Sequence, residues 1–156
     1  MTKKAKGPVA TARAATGSAR FKSARELREL LDLVMRAIDQ DPEAGPRLRS
    51  AAAPLRFEFP DMKLSLNVFP AERGCLRWDF ARRAASPPKL RLRMDSEFAN
   101  RLLQGRESPA IAIVRGRLVT TVDDAGAALR FFGAVKPLFS RYRQIIAEKY
   151  PHLTID

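Results

Sequence analysis

The sequence predicts an α+β domain, with helices on one face of a mainly antiparallel sheet. Three observations carry this. Through residues 55–94 apolar and polar residues alternate, the period of strands with one face in a core and one in water. On either side of that stretch the apolar period lengthens to that of a helix. Proline and glycine clusters fall between the periodic segments, where turns belong. The chain has 156 residues, 46% of them hydrophobic, which suits one core with a short appendage.

The appendage is at the N-terminus. Residues 1–22 hold Lys3, Lys4, Lys6, Arg13, Arg20 and Lys22, no acid, and mostly small residues between them. Such a segment has little to bury and is expected to be a disordered basic tail. It carries six of the twelve net positive charges. Three readings stay open for it: a solvated tail, a weak anchor to anionic surface, or an organellar targeting peptide. Residues 23–156 are expected to form a single domain.

Ser23 and Glu26 have capping-box spacing, and Leu27, Leu30, Leu31, Val34, Met35 and Ile38 follow at helical spacing. Asp41-Pro42 ends that helix. Residues 41–54, with three prolines and one glycine, read as an irregular linker. Leu55, Phe57 and Phe59 then alternate with Arg56 and Glu58, until Pro60-Asp61 breaks the run. Met62, Leu64, Leu66 and Val68 form a second alternating strand, and residues 70–74 a turn. Leu76, Trp78 and Phe80 form a third strand, Leu90, Leu92 and Met94 a fourth. Asp95 is expected to cap a short helix over 96–104, with Gly105 as its stop. AIAIV (110–114) and RLVTTV (117–122) read as two more strands around a tight turn at Gly116, the first central or covered on both sides. Asp123 or Asp124 caps a last helix reaching about Tyr150, kinked or split at Pro137. Its apolar residues, all but Leu129, fall within a sector of roughly 140°. That sector is wide enough to cover a sheet.

Little here points to catalysis. His152, expected to be exposed, is the sole histidine and Cys75 the sole cysteine. No Ser-His-Asp or Cys-His arrangement can be assembled, and no metal-type spacing occurs. Asp123-Asp124 reads as helix capping rather than a base or cation site, and no phosphate-binding glycine loop is present. The expectation is a protein that is not an enzyme, with no cofactor and no metal. The lone cysteine, the lack of an apolar signal region and the lack of a run near ~18 apolar residues point to a cytoplasmic protein.

The net charge of +12 favours polyanions. Arg77, Lys89, Arg91 and Arg93, with Lys63, would share the water-facing side of the sheet. This platform is expected to serve solubility or to meet an anionic membrane or other polyanion. Phe57, Phe59, Trp78 and Phe80 all lie on the apolar phase, and only Phe69 falls on the polar one. The platform thus lacks the exposed aromatics that stack bases, which disfavours specific nucleic-acid binding.

Three segments then carry a resemblance: KLRLRMDSEFANRLLQG (89–105), AIAIVRGRLVTTVDD (110–124) and ALRFFGAVKPLFSRY (128–142). With the earlier LSLNVF and LRWDF, the chain resembles the sterol carrier protein type two domain over about residues 25–150. Val122 departs from it, standing where that family usually has glycine before the aspartate. The resemblance implies a five-stranded, mainly antiparallel sheet covered by helices, and no cofactor. It also implies an apolar tunnel for a sterol, fatty acyl or isoprenoid lipid. The wall would come from Leu66, Trp78, Phe80, Leu92, Ile113 and Leu118 on the strands. Phe131, Phe132, Val135 and Phe139 on the last helix would face them. The same residues could interlock as a dry core, and sequence leaves that open. The expected function is lipid binding or transfer, with a lipid ligand, an anionic membrane surface and a lipid-metabolising enzyme as partners. Alternatives are a non-catalytic accessory or scaffold protein for such an enzyme, and, on charge alone, a basic nucleic-acid binder.

Overall fold

The structure is a computed structural model that describes residues 19–51, 54–73, 75–120 and 125–155. Most of the basic tail lies outside the described residues, as do Gly74, Val122 and the expected cap of the last helix at Asp123 or Asp124.

The chain opens with α1 (Ala24–Gln40), started by Ser23, whose Oγ accepts from the Glu26 N–H at 3.1 Å. The Glu26 carboxylate in turn accepts from the Lys22 N–H at 3.0 Å. The domain reaches back past this cap, because Ala19 and Phe21 are buried and Phe21 joins the core. Residues 41–54 are not all linker: they contain α2 (Ala44–Ala51). Asp41 explains the difference, its carboxylate accepting from the Glu43 and Ala44 N–H groups at 2.9 and 2.8 Å. A residue that ends one helix therefore caps the next.

Four alternating runs become β1 (Leu55–Phe59), β2 (Leu64–Pro70), β3 (Leu76–Asp79) and β4 (Leu90–Arg93). With β5 (Val119–Thr120) they form a five-stranded sheet in the order β3-β2-β1-β4-β5. Three pairings are antiparallel and β1–β4 is parallel, so the sheet is mixed but mostly antiparallel. The register sets Leu66, Phe57 and Leu92 side by side across three strands on one face.

Helix α3 (Ser96–Leu103) follows β4. Its N-terminal capping differs from expectation: the Asp95 side chain makes no cap hydrogen bond. Instead Asp61, in the 3-10 turn between β1 and β2, accepts from Ser96 N–H at 3.0 Å and Ser96 Oγ at 2.6 Å. The stop is as expected, Gly105 at φ 77°.

The segment AIAIV is a helix, not a strand. It forms α4 (Pro109–Val114), with Ser108 as N-cap and Pro109 in the first turn. Gly116 takes φ 73° to end that helix, not to close a hairpin: its N–H bonds Ile113 O and the Arg117 N–H bonds Ala112 O. The last helix is two, α5 (Ala125–Val135) and α6 (Phe139–Lys149), separated by a 3-10 turn holding Pro137. Leu129, the residue outside the apolar sector, is exposed, while Phe131, Phe132, Val135, Tyr142 and Ile146 are buried. No helix among the described residues is long and apolar enough to cross a membrane.

Candidate functional site

The inner face of the sheet and the helices enclose an apolar void of about 60 Å³. The sheet contributes Phe57, Phe59 and Leu66. Helix α1 contributes its whole stripe from Leu27 to Ile38, and α3 contributes Ala99, Leu102 and Leu103. Phe131, Phe132 and Val135 of α5, Phe139 and Tyr142 of α6 and Leu138 from the turn between them add to the wall, as do Phe21, Leu48, Met94 and Asn100. The aromatic wall is packed edge-on: Phe131 meets Phe57 at 5.4 Å and Phe132 at 4.8 Å between ring centroids. No charged side chain lines the void.

Polar atoms approach it at one end. Tyr142 OH donates to Asn100 Oδ1 at 2.7 Å, and Gln104 Nε2 donates to the same oxygen at 2.8 Å. Asn100 Nδ2 and Gln104 Nε2 both donate to the carbonyl of Leu153, at 2.9 and 2.8 Å, and Ile155 N–H donates to Gln104 Oε1. The C-terminal turn is thereby tied across the end of the void. Burial pushes the Tyr142 phenol far above its ordinary range, so it stays a neutral donor. His152, expected to be exposed, is half-buried, its Nε2 2.9 Å from Glu26 Oε1.

Of the ten residues expected to line a tunnel, Leu66, Phe131, Phe132, Val135 and Phe139 border the void together. The other five lie elsewhere. Leu92 and Leu118 are buried in the core and do not border it. Ile113 packs at the core margin from helix α4. Trp78 turns its Nε1–H to Asp32 of α1 at 2.9 Å, and Phe80 lies under the Arg28 guanidinium. Sequence reasoning assigns the α1 stripe to packing alone and does not single out Asn100. The stripe's helical period equals that of the last helix, and nothing in it says which side faces a void.

The expected cationic platform is divided. Arg77 stacks on Phe69 at 4.4 Å, and Arg91 reaches Glu58 at 3.8 Å. Lys63 is not on the face: it sits at φ 51° in the turn before β2. Lys89 precedes β4, its N–H bonded to Pro54 O. The centre of the face holds buried Arg56, whose guanidinium donates to Glu58, Asn67, Ser65 and the carbonyls of Ala81 and Arg82. Polar alternation does not require exposure when the chain folds back, as residues 81–82 do.

Among the described residues no three His, Cys, Asp or Glu side chains are placed to share a metal ion. Cys75 is a free, half-buried thiol.

No protein-family profile and no curated protein matches the chain. Solved structures do. Sterol carrier protein 2 aligns with TM-score 0.52 at 15% identity, over 74% of this chain and 95% of that one. A conserved hypothetical protein of Thermus thermophilus gives TM-score 0.52 at 14% identity, over 72% and 82%. The sterol carrier protein domain 2 of Helicoverpa armigera gives 0.51 at 13%, over 73% and 85%. The inverting sec-alkylsulfatase Pisa1 of Pseudomonas sp. aligns at TM-score 0.48 and 14% identity over 58% of this chain, which spans only 14% of that enzyme. The chain thus has the sterol carrier protein 2 fold, as the segments at 89–105 and 128–142 implied.

Proposed function

We propose that this protein binds a hydrophobic lipid of sterol, fatty acyl or isoprenoid type between its sheet and its helices, and hands it on without chemistry. The observation that carries the reading is the uncharged apolar void where β1, β2, α1, α3, α5 and α6 meet. It measures about 60 Å³. Pockets that take whole ligands run to roughly 300–1,000 Å³. A lipid must therefore part the walls on entry. The wall is suited to that, since carbon contacts carry no direction and can separate and re-form. The break at Pro137 lies between the α5 and α6 parts of the wall and gives them a place to swing. The partner would be a membrane that supplies the lipid or a lipid-metabolising enzyme that receives it.

Stripping the purified protein of lipid and titrating it with a fluorescent acyl or sterol probe tests the reading. Saturable binding is expected, with a change in the emission of Trp78, whose bond to Asp32 of α1 reports motion of that helix. No saturable binding up to the probe's solubility would end this reading.

A further inference from the structure

Large apolar side chains left in water are few among the described residues, and they cluster. Ile111 is 54% exposed, Val114 86% and Val119 51%; the remaining one, Leu129 at 43%, is on α5, against which α4 packs. Scattered exposed aliphatics need no explanation, but a cluster does. Ile111 and Val114 are three residues apart on α4 and so share one face of its turn. The other side of α4 is anchored. Ala112 is buried, and its carbonyl accepts from the N–H groups of Arg117 and Leu118 at 2.9 and 3.2 Å. The chain after the helix therefore doubles back beneath it and brings Leu118 into the core. Gly116 makes the reversal, and a Cβ there would meet nothing within 4 Å, so the tip stands open. Val119 then enters β5 directly across from Arg93.

Guanidinium groups lie along the same stretch of chain, and beside Val119 the groove that holds Arg93 and Arg117 also holds Asp61, Asp95 and Glu97. Arg115 and Arg117 are in the turn, Arg93 is across from Val119 and Arg106 precedes α4; all four are exposed, with Arg117 stacked on Phe98 at 4.6 Å and Arg106 donating to the Ile155 carbonyl at 3.3 Å. Glu107 is the one acid between residues 106 and 119, and it is already engaged by Arg101 at 2.7 Å and Arg117 at 3.8 Å. Aliphatic residues in water with cations near them match an anionic bilayer, where carbon enters the acyl boundary and the cations stay level with lipid phosphates. An RNA strand would use the cations but leave the aliphatics idle, and the three exposed residues include no aromatic for base stacking. A protein interface core usually draws on aromatics and methionine, also missing from this set.

We propose that the corner formed by α4 and the start of β5 is the face by which this protein docks on an anionic membrane. Ile111, Val114 and Val119 enter the interface, and Arg93, Arg106, Arg115 and Arg117 meet lipid phosphates. Of the cations expected from sequence to do this, only Arg93 belongs to the corner. Helix α4 packs on α5, whose Phe131 and Phe132 border the void, so docking here sets the bilayer beside the helix that closes it. The docking does not depend on the void taking a lipid, and vesicle binding and probe titration fail independently.

The test is flotation of the full chain with vesicles of phosphatidylcholine, alone or with about 30% phosphatidylglycerol as the anionic source. Flotation is expected with the anionic vesicles and not with phosphatidylcholine alone. Val114→Glu should weaken it by about tenfold or more, the factor that withdrawing one aliphatic side chain from the interface implies. Arg115→Gln with Arg117→Gln should also weaken it and flatten its salt dependence. Val114 is so exposed that its substitution should leave the melting midpoint in place; if the midpoint falls, Val114→Ser serves instead. A tail variant, Lys3→Gln with Lys4→Gln and Lys6→Gln, controls for the other basic segment and should leave the Val114 effect intact. Undiminished flotation of Val114→Glu overturns the proposal, as does equal flotation on both vesicles or on neither. Loss of self-association by Val114→Glu without loss of flotation would overturn it in favour of a second copy.

Discussion

Leu66 and Asn67 are consecutive on β2 and almost fully buried, yet opposite physics holds them. Leu66 points to the void, among carbon atoms whose attraction has no direction. Asn67 points the other way, into a network that leaves no donor of Arg56 idle. Five hydrogen bonds leave that guanidinium, matching its five N–H groups, and Asn67 Nδ2 goes on to Asp79 and the Ala81 carbonyl at 2.9 Å each. The contrast separates two tasks. A network of directed bonds is satisfied in one arrangement and costly in any other, so the outer face fixes the sheet. Carbon packing prescribes no single arrangement of partners, so the inner face is the one that the proposed lipid binding would part.

Removing Arg56 should have the largest effect. Arg56→Ala takes the partner from buried Asn67, from Ser65 and the two carbonyls, and from half-buried Glu58, to which only Arg91 at 3.8 Å would remain. A loss of about 3–5 kcal/mol in unfolding free energy is expected by urea denaturation. Arg56→Lys should recover little, because a three-donor ammonium cannot reproduce a planar five-donor fork. A loss below about 1 kcal/mol would put the arginine in the class of surface ion pairs and dissolve the distinction between the faces.

Most of the fold is legible in the sequence because it rests on local period. Strands β1 to β4 alternate cleanly, and the α1 stripe and the split at Pro137 can be read residue by residue. The segment 108–116 misleads for a physical reason: Ile111, Ile113 and Val114 have strand propensity, yet the boundaries decide the matter. Ser108-Pro109 is a helix start and Gly116 a helix stop, and both signals are in the sequence. Packing of α4 on α5 then overrides the propensity of a six-residue segment. The cap of α3 is less accessible, since Asp61 is far from Ser96 along the chain and only the fold brings them together. The same holds for the candidate site. Period shows that Phe131, Phe132 and Leu66 point inward. Which inward residues border a void, and which interlock as Leu92 and Leu118 do, depends on distances between elements that no local pattern encodes.

The inner face yields a middle-sized prediction that sharpens the contrast. Leu66→Ala should cost about 3 kcal/mol, within the roughly 2–5 kcal/mol seen for emptying a buried leucine site. Its cost should come with a gain, since the deleted methyl groups enlarge the void: the acyl or sterol probe should bind as tightly as to the parent protein, or more tightly. An equal loss of stability from Leu66→Ala and Arg56→Ala, with probe binding abolished in both, would mean the two faces are not different in kind.

The smallest effect concerns a third type of contact, at the seam where the C-terminal turn meets the start of α1. Glu26 accepts there from Lys22 N–H and lies 2.9 Å from His152 Nε2. Burial by itself would raise the Glu26 carboxyl, but the Lys22 N–H, the His152 hydrogen bond and the nearby charges prevail and hold it below the usual 4.5. A carboxyl with a depressed folded pKa stabilises the fold when ionised. That contribution is complete above its unfolded value and disappears as pH falls through the lowered one. Glu26→Gln should therefore cost something, up to about 1 kcal/mol at pH 7 once solvent screening is counted. Urea denaturation of both proteins at pH 7 and about pH 3 should show the difference shrinking toward zero at the acid end. A difference unchanged between the two would mean that the cost comes from putting an amide N–H₂ where an acceptor oxygen stood, and not from the charge that makes this seam a weaker relative of the Arg56 network.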